Sequence, residues 1–201
     1  MNTEIEKKYL IKYIPKEFKI NKIVQIEQNF IYDDKFTLIR LRKVKNIFKE
    51  NNEEYIYTVK TQGNIEYNEK NETAKRYEIE RNITKEQYEQ LIENKINNTI
   101  RKTRINIPIK DKLEAEIDIY YEYLKDFLTL EVEFENENQA KQFIKPDWFG
   151  EEIGHNELSN RKLSKMTKEE FEKKVTKEQL IQNKKNIDEL EIKIKESLNL
   201  K

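Results

Sequence analysis

The 201-residue sequence has no cysteine, one histidine, three glycines and three prolines. Without cysteine the chain can form no disulfide framework and offers no thiolate nucleophile or metal ligand. No apolar run approaches the roughly 20 residues that a membrane-spanning helix needs. The N-terminus enters a charged segment directly, so no signal peptide is expected. These absences predict a cytoplasmic protein that does not enter a membrane.

Charged residues are abundant, but the two signs balance. Lys and Arg together number 39, as do Asp and Glu, and the formal net charge is zero. A general nucleic-acid binder would show a basic excess, so this balance argues against that class. A site for an anion must therefore be a local concentration of bases. The chain length suits one domain of ordinary size plus an appendage.

Alternating apolar and polar residues predict eight strands. We expect them at residues 4–13, 23–32, 36–45, 55–61, 74–83, 99–107, 113–121 and 127–135. Short turns between neighbours favour antiparallel pairing. The capping box that begins at Thr84 predicts a helix, and further helical pieces are expected at 138–145 and 155–165. Between these two pieces, Trp148 to Gly150 is interpreted as a tight turn.

The C-terminal segment is predicted to be a helical tail. Capping boxes at Thr167 and Thr176 begin it. Its apolar residues fall on one stripe: Leu180, Ile187, Leu190, Ile194 and Leu198. The stripe predicts a buried face without saying what buries it. Two interpretations stay open: the helix packs on the outside of its own strands, or it forms a dimer.

Each predicted strand has one largely apolar face and one charged face. Bases dominate the third, fourth and sixth strands, with Arg40, Arg42, Lys60, Lys102 and Arg104. Acids dominate the seventh and eighth, with Glu116, Asp118, Glu131 and Glu133. An open sheet with a solvated charged face is one interpretation. Such a sheet would gain from opposite charges placed directly across from each other. Strands of a single sign instead favour a face that encloses counter-charges.

Eight strands can close into a barrel, which removes both edges of the sheet. We therefore expect an α+β fold: a closed eight-stranded antiparallel β-barrel whose charged interior forms a tunnel, flanked by helices and followed by the helical tail. Acids on one wall suit divalent cations, which prefer oxygen ligands. Bases on the other walls suit phosphate oxygens. A ligand that needs both is a metal-chelated polyphosphate.

The order of the short charged motifs resembles that of the CYTH, or triphosphate tunnel metalloenzyme, superfamily. The family's N-terminal E-x-E-x-K strand is matched by Glu4-Ile5-Glu6-Lys7-Lys8. The later motifs follow in the family's order: Arg40-Leu41-Arg42, Thr58-Val59-Lys60, Glu78-Ile79-Glu80, Lys102-Thr103-Arg104, Glu116-Ile117-Asp118 and Glu131-Val132-Glu133. The resemblance covers a tunnel domain at about residues 1–163 and leaves 164–201 as a helical extension. It departs on the second strand, where the family often has Q-x-Y and this chain has Gln28-Asn29-Phe30. Tyr32 is expected on the same face.

The resemblance implies roles for these residues. Seven bases would bind phosphate: Lys8, Arg40, Arg42, Lys60, Arg76, Lys102 and Arg104. Of these, Lys8, Arg40 and Lys60 are the expected catalytic residues. Five acids would hold Mg²⁺ or Mn²⁺: Glu4, Glu6, Asp118, Glu131 and Glu133. Three further acids would line the tunnel: Glu78, Glu80 and Glu116. His155 is expected to be structural or exposed.

The implied activity is metal-dependent hydrolysis of inorganic tripolyphosphate or another triphosphate. Within the superfamily, the alternatives are a class IV-type adenylate cyclase and a thiamine triphosphatase. A non-catalytic module that binds polyphosphate is the alternative of another class. No nucleic-acid or membrane partner is expected, and the chain is expected to be a monomer or a homodimer.

Overall fold

The computed structural model describes residues 5–49, 53–62, 76–154 and 158–199. Within them, nine strands form a single antiparallel sheet. The strands are β1 (Ile5–Ile11), β2 (Lys22–Asp33), β3 (Thr37–Asn46), β4 (Glu53–Gln62), β5 (Arg76–Ile83), β6 (Ile100–Pro108), β7 (Glu114–Tyr120), β8 (Leu128–Phe134) and β9 (Phe149–Ile153). The α-helices are α1 (Lys85–Ile92), α2 (Glu137–Gln142), α3 (Asn160–Leu163), α4 (Lys168–Lys174) and α5 (Lys177–Asn199). Short 3₁₀ turns lie at Lys110–Lys112 and Glu122–Leu124.

The strand order shows that the expected closed eight-stranded barrel is wrong. The order is β5-β4-β3-β2-β6-β7-β8-β1-β9, so among the described residues β5 and β9 are the two edges of an open sheet. Closure would require β1 to pair with β5. Instead β1 pairs with β8 on one side and with β9 on the other, where Ile11 lies opposite Phe149. A strand has only two hydrogen-bonding edges, so β9 prevents closure.

The eight strands expected from the sequence are all present, and the described ends lie within two residues of the expected ones. Their pairing is antiparallel, as expected. The tight turn expected at 148–150 is wrong from Phe149 onward, because those residues begin β9. The helix after the Thr84 capping box is shorter than expected and ends at Ile92.

The main hydrophobic core lies on the apolar face of the sheet. Its fully buried members include Ile23 of β2, Ile105 of β6, Ile117 of β7 and Leu130 of β8. A second cluster lies at the end of β7 and β8, where Phe127 and Tyr120 pack with residues of α3 and α4. No helix in the described part of the chain combines the length and apolar character needed to cross a membrane.

The helical tail packs against its own sheet. Ile187 and Leu190 of α5 are buried in the main core, and the Asn186 amide donates a hydrogen bond to the Ile11 carbonyl over 3.1 Å. The apolar stripe of the tail is therefore buried, at least in part, by β1 and its neighbours. The division of the chain into 1–163 and 164–201 stays a prediction.

Candidate functional site

The pairing register places the charged motifs on one face of the sheet. Residues directly opposite each other on paired strands point to the same face. Lys8 lies opposite Glu131, and Glu131 lies opposite Glu116. The same relation runs across the sheet through β6, β2, β3, β4 and β5. We call this surface the charged face. Its sequence-predicted members are Glu6, Lys8, Glu131, Glu133, Glu116, Asp118, Lys102, Arg104, Arg40, Arg42, Lys60, Glu78 and Glu80.

The expectations for three residues fall at least partly outside the described part of the chain. Glu4 and His155 lie outside the described residues, and so does the side chain of Arg76, although its backbone belongs to β5.

Arg104 is the centre of the first group of charges, on β1 and β6–β8. Its Nε and Nη2 donate to the two carboxylate oxygens of Asp118 over 2.8 and 2.7 Å. Nη2 also donates to Glu131 over 2.7 Å, and Nη1 contacts Glu116. Lys8 Nζ lies 3.1 Å from the other oxygen of Glu131, and Lys102 Nζ lies 2.5 Å from Asp118. We call these residues the inner cluster.

Burial makes the electrostatics of the inner cluster strong. Asp118 is 0% exposed and Lys102 is 3% exposed. Burial and the neighbouring Arg104 lower the pKa of Lys102 to about 8. Burial alone would raise the pKa values of Glu131 and Asp118, but the adjacent bases lower both below their ordinary values. Both carboxylates are therefore anionic at neutral pH. Burial would lower the pKa of Lys8, yet the charges around it raise it.

A second group of charges lies on β3–β5, and we call it the outer cluster. Arg40 Nη2 lies 3.2 Å from Glu78, and Lys60 Nζ lies 3.0 Å from the other oxygen of that carboxylate. Arg42 Nη2 lies 2.6 Å from Glu80. The buried hydroxyl of Thr58 also donates to Glu80, over 3.1 Å. Each carboxylate here holds the guanidinium or ammonium groups of neighbouring strands in place.

Strand β2 separates the two clusters. Its residues on the charged face are Val24, Ile26, Gln28 and Phe30, and all four are buried. A strand in the middle of a face that looked out on bulk water would not be buried. The middle of the charged face is therefore screened from solvent even though the sheet is open, whereas Glu80 on β5 and Glu133 on β8 are exposed.

Tyr32 does not join Gln28 and Phe30 on the charged face, so that expectation is wrong. The register shifts at a β-bulge: Phe30 lies opposite Arg40, but Tyr32 lies opposite Ile39. The extra residue turns Tyr32 to the opposite face of the sheet, which we call the outer face. There it is 47% exposed and donates a hydrogen bond to Asp34.

The acids on β1 and β8 have the donor chemistry of a site for a hard cation. Glu6 lies directly opposite Glu133. Glu131 lies two residues away on β8, opposite Lys8. Carboxylate oxygens are the ligands that Mg²⁺ and Mn²⁺ prefer. Among the described residues, no three acidic or histidine side chains are arranged to hold a metal. Glu131 instead contacts Lys8 and Arg104, so it would have to change partners to bind a metal.

Sequence reasoning missed Tyr120. It follows Glu116 and Asp118 at the same two-residue spacing, which was the available signal, and it lies on the charged face opposite Lys102. Its hydroxyl donates to Asn160 over 2.9 Å, and Lys102 Nζ lies 5.8 Å from the ring centroid. Tyr120 therefore joins the inner cluster to α3.

The chain has a curated relative of similar length. The chain is 30% identical over 152 residues to an inorganic triphosphatase from Nitrosomonas europaea. The aligned region covers 75% of this chain and 89% of that protein. The chain belongs to the CYTH, or triphosphate tunnel metalloenzyme, superfamily. No family model matches the chain.

Solved structures agree with membership of the superfamily. The crystal structure of the inorganic triphosphatase NE1496 has 29% sequence identity and a TM-score of 0.53, covering 82% of this chain and 95% of that one. The crystal structure of the hypothetical protein NE1496 gives 28% identity and a TM-score of 0.55, covering 82% and 99%.

Proposed function

We propose that the charged face binds a linear triphosphate together with Mg²⁺ or Mn²⁺, and that the chain hydrolyses inorganic tripolyphosphate at its terminal phosphate. The observation that carries this proposal is the convergence of every described charged motif on one face of the sheet, where Lys8, Lys102, Asp118 and Glu131 are buried. The relative from Nitrosomonas europaea, an inorganic triphosphatase, supports the same reaction.

The bases of both clusters would bind the phosphate oxygens. Each of them now contacts a carboxylate, so the binding groups are already positioned and charged. Arg40, Arg42 and Arg104 offer forked donors, and Lys8, Lys60 and Lys102 offer point charges. Arg76 completes this set by its place in β5. The expected catalytic residues are Lys8 of the inner cluster and Arg40 and Lys60 of the outer cluster, so a triphosphate that uses all three would have to contact both clusters.

The acids divide into two roles. Glu6, Glu131 and Glu133 would hold the metal, and Glu4 and Asp118 are the further acids of this set. When bound, the cation neutralises phosphate oxygens and activates water for in-line attack. Glu78, Glu80 and Glu116 would keep the arginines and lysines oriented, a role that their ion pairs support.

The test is phosphate release from tripolyphosphate with each metal. Glu133→Gln should lower kcat by about a hundredfold or more, in line with the loss of one transition-state contact elsewhere, and should weaken metal binding. Glu137→Gln, on the exposed helix α2, is the matched control and should leave both unchanged. Wild-type turnover in Glu133→Gln would reject the metal assignment. Tight binding of tripolyphosphate without turnover would instead support a non-catalytic polyphosphate-binding module.

A further inference from the structure

Gln28 is the polar member of the four buried β2 residues that separate the two clusters on the charged face. The strand pairing places it directly opposite Arg42 of β3. Arg40 on β3 and Lys102 on β6 lie at the diagonal positions. Long side chains at diagonal positions of a sheet are within reach of each other. A neutral amide is therefore surrounded by three bases.

The amide of Gln28 has no partner within the protein. Among the described residues it makes no hydrogen bond to a side chain or to the backbone, although the residue is only 2% exposed. Its two polar atoms do not belong to the fully enclosed atoms that lack a partner, so the small exposed fraction of the residue lies at the amide. A buried amide without a partner loses the hydrogen bonds that it makes to water in the unfolded chain. The fold therefore keeps a polar group where an apolar one would be more stable.

The guanidinium of Arg42 also has a donor without an acceptor. Its Nη2 lies 2.6 Å from Glu80, but its Nε is buried and has no hydrogen-bond partner in the described part of the chain. The Cβ atoms of directly opposite residues are about 5 Å apart, so one ligand group can reach both Arg42 and Gln28. A phosphate suits this place, because it offers several acceptor oxygens to N–H donors.

We propose that the Gln28 amide and Arg42 Nε together bind the middle phosphate of a triphosphate, and that this contact selects three linked phosphates over two. This inference rests on the proposed function, which requires one ligand to contact both clusters. The two terminal phosphates of such a ligand lie on the clusters, and its middle phosphate lies over β2. Gln28 is then a specificity-determining residue.

The position of β2 explains the selection. The two clusters are separated by two strand spacings, roughly 10 Å. Two linked phosphates bind within one cluster and do not need Gln28. A ligand with a phosphate between its terminal groups reaches both clusters and brings an acceptor to β2. Affinity for a triphosphate therefore depends on Gln28, whereas affinity for pyrophosphate does not.

The first experiment compares Gln28→Met with Gln25→Met, by calorimetry in the absence of metal ions. Methionine is similar in length to glutamine but has no amide. Gln25 is exposed on the outer face of the same strand, so its variant is the matched control. Gln28→Met should weaken tripolyphosphate binding about tenfold, the effect of one hydrogen bond to a charged group, and leave pyrophosphate binding unchanged. Gln25→Met should change neither. Equal losses for the two ligands, or no loss for tripolyphosphate, would overturn the proposal.

Thermal melts separate binding from a purely structural role. Replacing an unpaired buried amide by an apolar side chain of similar size is neutral or stabilising. The melting temperature of Gln28→Met should therefore equal or exceed that of the wild type while the affinity falls. A lower melting temperature with unchanged selectivity would show that Gln28 serves the fold alone. If Gln28→Met does not fold, NMR of the wild type decides. The side-chain amide signal of Gln28 should shift on addition of tripolyphosphate, and an unchanged signal would overturn the proposal.

The double variant of Gln28→Met and Arg42→Gln tests whether the two residues bind the same phosphate. Groups that share one partner show non-additive effects. The double variant should therefore lose less affinity for tripolyphosphate than the two single losses predict together. Additive losses would show that the two residues contact different parts of the ligand.

Turnover with Mg²⁺ separates this inference from the proposed function. A contact that is equally strong before and during the reaction lowers KM and leaves kcat unchanged. Gln28→Met should therefore raise KM for tripolyphosphate about tenfold at the wild-type kcat. If neither protein hydrolyses tripolyphosphate but their affinities differ as stated, the proposed reaction alone is wrong. If both hydrolyse it with the same KM and the same affinity, this inference alone is wrong.

Discussion

Arg104 of β6 contacts both carboxylate oxygens of Asp118, its direct neighbour on β7. The same guanidinium also contacts Glu131 and Glu116. Lysine in this position could offer only a point charge, without the planar fork. Lysine also cannot contact all three carboxylates at once, so at least one of them would lose its charged partner.

Arg104→Lys should therefore lower the free energy of unfolding by about 2–4 kcal/mol and slow tripolyphosphate hydrolysis by about a hundredfold. Urea denaturation and phosphate release measure the two effects. Arg101→Lys is the control: Arg101 lies on the same strand but on the outer face, and its partners Glu27 and Glu122 are partly exposed. For Arg101→Lys we expect the free energy of unfolding to fall by less than about 1 kcal/mol. Equal losses of stability and activity in both variants would show that the contacts of Arg104 contribute no more than those of Arg101.

Substitutions on β3 test which face of the sheet binds the ligand. Arg42 lies on the charged face beside Glu80, and Lys43 lies on the outer face beside Glu53. Arg42→Gln should weaken tripolyphosphate binding about tenfold, the worth of one charge-assisted hydrogen bond. Lys43→Gln should leave binding unchanged. Calorimetry with each variant gives the comparison, and a similar loss from Lys43→Gln would mean that the ligand does not bind the charged face.

Asp33, at the end of β2, contacts Arg161 of α3 and Lys165 through its carboxylate, and acid should weaken these contacts. Burial opposes ionisation of Asp33, but hydrogen bonds from Arg161 and Lys165 lower its pKa below the ordinary value. The stability that Asp33 supplies is therefore complete above about pH 4, near the unfolded pKa, and is lost as the pH falls through the folded pKa. Asp33→Asn should cost about 1–3 kcal/mol at pH 6, and the difference from wild type should narrow below about pH 4. Urea denaturation of both proteins from pH 6 to below pH 4 tests this prediction. A difference in unfolding free energy that stays constant with pH would contradict the assigned ion pair.

Gly150 permits β9 to lie close to β1. A Cβ at this position would lie 3.0 Å from the Leu10 carbonyl oxygen and 3.1 Å from its carbon. Leu10 lies at a register shift, but its neighbours Tyr9 and Ile11 both pair with β9, which limits how far its backbone can move. Gly150→Ala should destabilise the protein by about 1–3 kcal/mol, as overpacking does. Glu151→Ala, at the exposed neighbouring position, should have little effect. Thermal melts compare the two, and an unchanged melting temperature in Gly150→Ala would show that β9 can shift without cost.

Sequence patterning predicted the strands and their charged sides well, because alternation at a period of two is a strong local signal. It failed where geometry is decided by partners far away in the chain. Phe149–Ile153 has two glutamates and a glycine, so nothing local marks it as a strand; pairing with β1 makes it one. The closure of the sheet into a barrel depends on the same pairing of β9 with β1. The bulge that turns Tyr32 outward is likewise set by the register with β3, which one strand's sequence does not contain.

The buried residues of β2 that divide the charged face have a thermodynamic consequence. They place the inner and outer clusters two strand spacings apart, roughly 10 Å, a separation at which substitutions usually add. In the free protein, Arg104→Lys and Arg42→Gln should therefore show additive changes in unfolding free energy. A tripolyphosphate that contacts both clusters would join them, and the same double-mutant cycle measured on binding should then show a coupling energy that the free protein lacks.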